Sequence, residues 1–212
     1  AELDRGRVRG PLHGVPIVVK DLVDVAGHPN SAATSMLIDS EPAAANAPTV
    51  QALVDAGAVV VGLANLHEWA WGGTSSVSAF GPVHNLWDFD LISGGSSGGT
   101  AVAVSGGMAF AGIGTDTGGS VRIPASYTGT SSIKVTAGTI PTEGVWPLAW
   151  TLDSVGLMAR KVADLRAPYA AWSRYFGLRG DDRGRRAMQL SDLVVGVDRD
   201  YYAGQLQTGV RE

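Results

Sequence analysis

The sequence predicts an α/β fold, and three segments carry this prediction. A short apolar run ends in a lysine in "GVPIVVKD" (14–21), and a helical pattern is followed at once by an apolar strand in "APTVQALVDAGAVVVGLAN" (47–65). A stretch of small residues, "TAVAVSGGMAFAGIGTD" (100–116), has the composition of a closely packed helix followed by a strand. With 45% apolar residues, a chain of 212 residues can bury a core.

The first element is a buried strand in "GVPIVVKD". Its apolar residues are consecutive, which is typical of a strand covered on both faces, and Lys20 lies at its end. A lysine in that position is held out of water, and burial disfavours its charged form.

The second element is a helix followed by a strand. Val50, Leu53 and Val54 recur at helical spacing, Gly57 ends the helix, and residues 59–63 form a continuous apolar strand. This arrangement is half of an α/β unit.

The glycine- and serine-rich region from 72 to 132 keeps two apolar islands, at 101–104 and 108–113. A flexible linker would not retain them, so we expect a buried helix and then a strand that runs into Thr115. After a charged loop at 178–187, "DLVVGVDRD" (192–200) predicts one more strand. We expect a single domain over residues 1–212.

Composition excludes several function classes. Sixteen Lys and Arg against 20 Asp and Glu leave no basic face for nucleic acid, and the absence of cysteine excludes disulfides, thiolate metal sites and a cysteine nucleophile. No apolar stretch approaches the roughly 20 residues that span a bilayer. We therefore expect a cytoplasmic protein that binds neither nucleic acid nor a membrane directly.

Three familiar motifs do not fit. "GGSSGG" satisfies G-x-S-x-G around Ser96 and around Ser97, but all four histidines precede these serines, so the base of an α/β-hydrolase is missing. There is no H-E-x-x-H, and "GIGTDTGG" lacks the third glycine of a dinucleotide-binding loop. We expect neither a metal nor an organic cofactor, and a serine or threonine nucleophile with Lys20 as a candidate base.

Three blocks in this order are far more specific: "PLHGVPIVVKD" (11–21), "SGGSSGGTAVAVSGG" (93–107) and "GIGTDTGGSVRIPASYTG" (112–129). Together they resemble the signature blocks of the amidase signature family, the Ser-cisSer-Lys amide hydrolases. The likeness extends to "VQALVDAGAVVVGLANLHEWAWGG" and "PLAWTLDSVGLMARKVADL". It implies the amidase-signature fold, a mixed β-sheet covered by helices on both faces.

The resemblance also implies catalytic roles. Ser120 is expected to be the nucleophile, Ser96 a bridging serine that follows an unusual cis peptide, and Lys20 the terminal base. A hydroxyl can accept one proton while it donates another, so Ser96 can relay a proton from Ser120 to Lys20.

The loop that carries the nucleophile is expected to hold the oxyanion of a tetrahedral intermediate, because glycines let backbone N–H groups converge on one point. The expected donors are the N–H groups of Thr117, Gly118, Gly119 and Ser120. By the same resemblance, Ser97 would hydrogen-bond the lysine, while Asp116 and Arg122 would brace the loop as an ion pair.

The implied reaction is hydrolysis of a small-molecule carboxylic amide to an acid and ammonia or an amine through a Ser120 acyl-enzyme. "NLHEWAWGG" and "PLAWTLDSVG" favour a stand-alone amidase over the glutaminase subunit of a tRNA-dependent amidotransferase. A non-catalytic scaffold is a third alternative, but Lys20, Ser96 and Ser120 are all present. Tryptophans 69, 71, 146 and 150 give a weak preference for an aryl amide, since such residues more often pack in the core.

The chain departs from the family pattern in two respects. Several loop positions carry unusual residues: Leu86, Leu91, Ser93, Val135 and Thr139. Members of the family are also considerably longer. We therefore expect the fold to be incomplete in this chain and to be completed by a further chain segment or a partner chain, a homo-oligomer being one form of the latter.

Overall fold

The computed structural model describes residues 2–178 of the chain. Within them, five strands form one mixed sheet in the order β2-β1-β3-β5-β4. The strands are β1 (Pro16–Lys20), β2 (Val59–Ala64), β3 (Ala111–Asp116), β4 (Ser131–Lys134) and β5 (Ser154–Ala159). Strands β2 and β3 run parallel to β1, whereas β5 is antiparallel to both β3 and β4.

Helices pack against both faces of this sheet. They are α1 (Pro48–Asp55), α2 (Gly98–Ser105), α3 (Arg122–Thr128) and α4 (Val162–Tyr175), and two single 3₁₀ turns lie at Leu3–Arg5 and Glu68–Ala70. The predicted strand at 16–20, the helix and strand between 48 and 63, and the helix and strand of the small-residue segment are all present. The mixed α/β architecture is therefore confirmed.

The alternation of side chains along β1 assigns each helix to a face. Ile17 and Val19 belong to the main core, which includes Leu53 of α1 and Trp172 of α4. Val18 points the other way, into a smaller cluster with Val104 of α2. Because side chains in a strand alternate, Lys20 shares the face of Val18 and faces the segment that leads into α2.

Helix α1 is fixed at both ends. Pro48 occupies its first turn, where a missing N–H costs nothing. The indole N–H of Trp172 donates to the carbonyl oxygen of Thr49 at 2.8 Å, which ties α4 to the start of α1. Gly57 follows the helix with φ of 101°, and a Cβ there would lie 2.5 Å from the Cα of His13. Glycine is thus required at this turn for both its conformation and its size.

Strand β2 differs from the expectation of a fully buried strand. Val59 and Val61 are 49% and 52% exposed, because β2 lies at the edge of the sheet and only one neighbour, β1, pairs with it. A continuous apolar run indicates that both faces are suited to burial, but it does not give the position of a strand in the sheet.

The strand predicted within 192–200 and the charged loop before it lie outside the described residues, so the single domain over 1–212 stays a prediction. Between residues 2 and 178 the longest helix has 14 residues. No helix in that part of the chain is long and apolar enough to cross a membrane.

Candidate active site

The glycine- and serine-rich segment is buried structure and not a linker. Ser93, Ser96 and Ser97 are fully buried, and the peptide bond between Gly95 and Ser96 is cis. The glycines are needed for close packing: a Cβ on Gly98 would lie 2.4 Å from Ser75 Oγ, and one on Gly99 would lie 2.2 Å from the carbonyl oxygen of Asn65. The segment thus brings Ser96 against the end of β1.

Lys20 is fully buried where β1 ends. Its Nζ donates hydrogen bonds to Ser96 Oγ at 2.8 Å and to Thr115 Oγ1 at 2.7 Å. Burial lowers the pKa of Lys20 to about 7, against the opposing effect of the Asp116 and Asp153 charges. At neutral pH about half of this amine is therefore uncharged and able to accept a proton.

Ser120 lies in the loop between β3 and α3, next to the buried serine segment. The backbone N–H of Ser97 donates to the carbonyl oxygen of Ser120 at 3.1 Å, which fixes the two segments to each other. Ser120 is 9% exposed, and its hydroxyl makes no hydrogen bond to any other described residue. The hydroxyl is thus held beside Ser96 without a competing partner.

The carboxylate of Asp116 organises the nucleophile loop. It is fully buried and accepts hydrogen bonds from the backbone N–H groups of Gly119 and Val121, at 2.9 and 3.0 Å. The guanidinium of Arg122 binds both of its oxygens, at 2.9 and 3.1 Å. Burial alone would raise the pKa of Asp116, but the hydrogen bonds from Arg122 and Val121 lower it below its ordinary value. The expected ion pair is present and shapes this turn.

This arrangement changes the expected set of oxyanion donors. The N–H of Gly119 points to Asp116 and is already used, because the carboxylate three residues earlier captures it. The N–H groups of Thr117, Gly118 and Ser120 have no acceptor within residues 2–178. Three of the four predicted donors are therefore available in this loop, and Gly119 is not.

The expected hydrogen bond from Ser97 to Lys20 is replaced by another arrangement. Ser97 Oγ donates to the carbonyl oxygen of Thr115 at 3.1 Å and accepts from its N–H at 3.3 Å. It is the side chain of Thr115, on the neighbouring parallel strand β3, that meets the lysine. Ser97 thus positions Thr115, a residue that the sequence analysis did not single out.

A second residue outside the sequence-based site is Asp153, directly before β5. Its carboxylate accepts from Thr117 Oγ1 at 2.5 Å and from the backbone N–H groups of Leu148 and Ala149 at 2.9 to 3.1 Å. Asp153 lies in the "TLDSVG" segment, where an acidic residue just before an apolar strand was an available but ambiguous signal.

An open cavity of about 350 Å³ lies beside this centre. It is lined by His67, Glu68, Trp69, Trp71, Val77, Pro147 and Leu148. The backbone N–H of His67 donates to the carbonyl oxygen of Ser96 at 3.1 Å, so the cavity wall is attached to the bridging serine. Its size falls in the range of small-molecule sites.

The four tryptophans considered in the sequence analysis do not form one wall. The rings of Trp69 and Trp146 are in contact, with centroids 5.1 Å apart. Trp71 and Trp150 are 76% and 83% exposed, and of these two only Trp71 lines the cavity. Within residues 2–178, no group of three or more His, Asp or Glu side chains is placed to hold a metal ion.

Comparison with known proteins gives matches over nearly the whole chain. The family model described as Amidase matches residues 1–211. The A-type subunit of the glutamyl-tRNA(Gln) amidotransferase from Methanosarcina acetivorans is 38% identical over 210 residues, which cover 96% of this chain and 44% of that protein. The protein of the same name from an Anaeromyxobacter species is 43% identical and covers 99% and 44%, respectively. The chain therefore spans less than half the length of these relatives.

Solved structures give the same picture. A crystal structure of an amidase superposes with a TM-score of 0.76 at 43% identity, covering 82% of this chain and 39% of the other. The peptide amidase of Stenotrophomonas maltophilia gives 0.75 at 39% identity, with 81% and 36% covered. The corresponding glutamyl-tRNA(Gln) amidotransferase protein of Thermotoga maritima gives 0.71 at 37%, with 79% and 35% covered. The fold of these proteins is thus only partly represented in the 212 residues.

Proposed function

Because this chain belongs to the amidase family, we propose that it carries the nucleophile and the proton relay of a serine-dependent amide hydrolase. The observation that carries the proposal is the contact between the buried amine of Lys20 and the hydroxyl of Ser96, 2.8 Å apart. A lysine with a pKa of about 7 is a competent base at neutral pH, and here it faces a hydroxyl rather than solvent.

The proton relay runs from Ser120 through Ser96 to Lys20. As Ser120 Oγ attacks the carbonyl carbon of the amide, its proton passes to Ser96 Oγ while the proton of Ser96 passes to the uncharged Nζ. The negative charge on the former carbonyl oxygen is held by the free N–H groups of Thr117, Gly118 and Ser120.

The intermediate then collapses and the amide C–N bond breaks. The proton stored on Lys20 returns through Ser96 to the leaving nitrogen, which departs as ammonia or an amine and leaves an ester on Ser120. Water attacks this ester with the same relay acting as base, and the carboxylic acid is released.

The comparisons support the glutaminase component of an amidotransferase better than the stand-alone amidase that the sequence motifs favoured. The relatives named for the glutamyl-tRNA(Gln) amidotransferase match this chain over 96% and 99% of its length. We therefore take glutamine as the first candidate substrate, with ammonia passed to a partner chain. The second candidate is a small-molecule or peptide amide, which is favoured by the structural likeness to an amidase and a peptide amidase.

The decisive experiment uses the full-length cytoplasmic protein with and without its copurifying partner. Ammonia release is measured from glutamine and from a panel of simple aliphatic and aryl amides. Glutamine turnover that depends on the partner supports the glutaminase, and partner-independent turnover of simple amides supports the stand-alone amidase. Mass spectrometry after fluorophosphonate treatment should locate the label on Ser120, and a Ser120→Ala variant that keeps full activity would overturn both candidates and favour the scaffold.

A further inference from the structure

Asp153 joins two segments that the proposed reaction needs to keep in register. One is the loop of oxyanion donors, which Asp153 reaches through Thr117 Oγ1. The other is the segment 148–149, whose two backbone N–H groups both point to the carboxylate. Leu148 lines the cavity beside the bridging serine, so one side chain connects the cavity wall to the donor loop.

The fixed element in this connection is the first oxyanion donor. Thr117 supplies its side chain to Asp153, while its N–H is left without an acceptor within residues 2–178. A carboxylate that holds the side chain restricts the rotation of that residue and hence the direction of its N–H. Preorganised donors of this kind stabilise a developing oxyanion because they need no reorganisation during the reaction.

Asp153 also differs from the other acidic groups around Lys20 in its partners. Asp116 is paired with Arg122, and Asp21, the next residue after the lysine, is bound to the hydroxyl and N–H of Ser31. The donors to Asp153 are neutral, and no cation within the described part of the chain pairs with it. Its negative charge acts on the buried amine together with that of Asp116.

We propose that Asp153 is a positioning residue for the amide hydrolysis assigned above: it orients Thr117 in the oxyanion site, and its charge favours the protonated form of the Lys20 amine. This inference rests on the proposed function. It assigns to Asp153 two separable effects, one on the rate at high pH and one on the pH at which the base becomes active.

Two variants of the full-length protein separate these effects. Asp153→Asn removes the charge and one acceptor oxygen, whereas Thr117→Val removes the side-chain tie but leaves the charge. The measurement is the rate of Ser120 labelling by a fluorophosphonate between pH 5 and 9, which needs no knowledge of the substrate. We expect both variants to label about fivefold more slowly at high pH, the factor that corresponds to the loss of one hydrogen bond. Only Asp153→Asn should move the midpoint of the profile to lower pH.

The outcomes distinguish the inference from the function on which it rests. A wild-type protein that is never labelled at Ser120 refutes the proposed function. Wild-type labelling at Ser120 with an unchanged rate and midpoint in Asp153→Asn refutes the role of Asp153 alone. If Asp153→Asn does not fold, Thr117→Ser serves as the conservative rescue. Thr117→Ser should label like the wild type and Thr117→Val more slowly, and equal rates for these two variants would overturn the inference.

Discussion

The pH dependence of amide hydrolysis tests the base directly. With a pKa of about 7, Lys20 is about one-tenth uncharged at pH 6 and about nine-tenths uncharged at pH 8. The rate that depends on this base should therefore rise roughly ninefold between these values and level off above pH 8. A lysine at its ordinary value of 10.5 would be only about 0.03% uncharged at pH 7, and its rate would keep rising tenfold per pH unit through pH 9.

The assay follows kcat/KM for the preferred amide from pH 5 to 10 in the full-length protein, because this quantity reports ionisations of the free enzyme. Lys20→Arg is the informative variant, since arginine keeps the positive charge and cannot act as a base. We expect it to lose on the order of a hundredfold or more in rate, in the range typical of a missing general base. Circular dichroism of the variant controls for loss of the fold.

Three results would refute this reasoning. They are a flat profile between pH 6 and 8, a rate that rises without a plateau beyond pH 9, and a folded Lys20→Arg variant with wild-type activity. Each would mean that the buried amine is not the group whose deprotonation limits the reaction.

Three further predictions concern stability. Because the pKa of Lys20 is lower in the folded state than its ordinary value of 10.5, the unfolded state binds more protons between about pH 7 and 10.5. The free energy of unfolding should gain about 1.4 kcal/mol per pH unit in this window, and urea denaturation of Lys20→Met should show that this contribution has disappeared. Asp116→Ala should cost about 3 kcal/mol, because it leaves several donors unpaired, while Arg122→Ala should cost about 1, since the carboxylate keeps its backbone donors. Equal costs in denaturant titrations would contradict this account of the loop. Gly99→Ala should lower the melting temperature, because its Cβ would lie 2.2 Å from a backbone carbonyl oxygen, whereas the matched control Gly62→Ala meets nothing within 4 Å and should not.

Local patterns in the sequence predicted the strand that ends at Lys20, the helix that starts at Pro48 and the small-residue helix before β3. These elements depend on the period of apolar residues along a short segment, which is visible without the fold. The candidate residues Lys20, Ser96 and Ser120 were also identified from the sequence, because three ordered motifs carry them. The edge position of β2 was not predictable, since strand order depends on pairing between distant segments.

The sequence by itself determined which chemical groups are available: an amine at the end of a buried strand, two serines in glycine-rich segments, and no cysteine. Only the tertiary structure decided how they are used. It brings Lys20 to partners 76 and 95 residues away, gives the lysine contact to Thr115 instead of Ser97, and commits the N–H of Gly119 to a carboxylate. Hydrogen-bond partners and the pKa of a buried group depend on which atoms surround it in space, and that set of neighbours is fixed when the sheet and helices pack together.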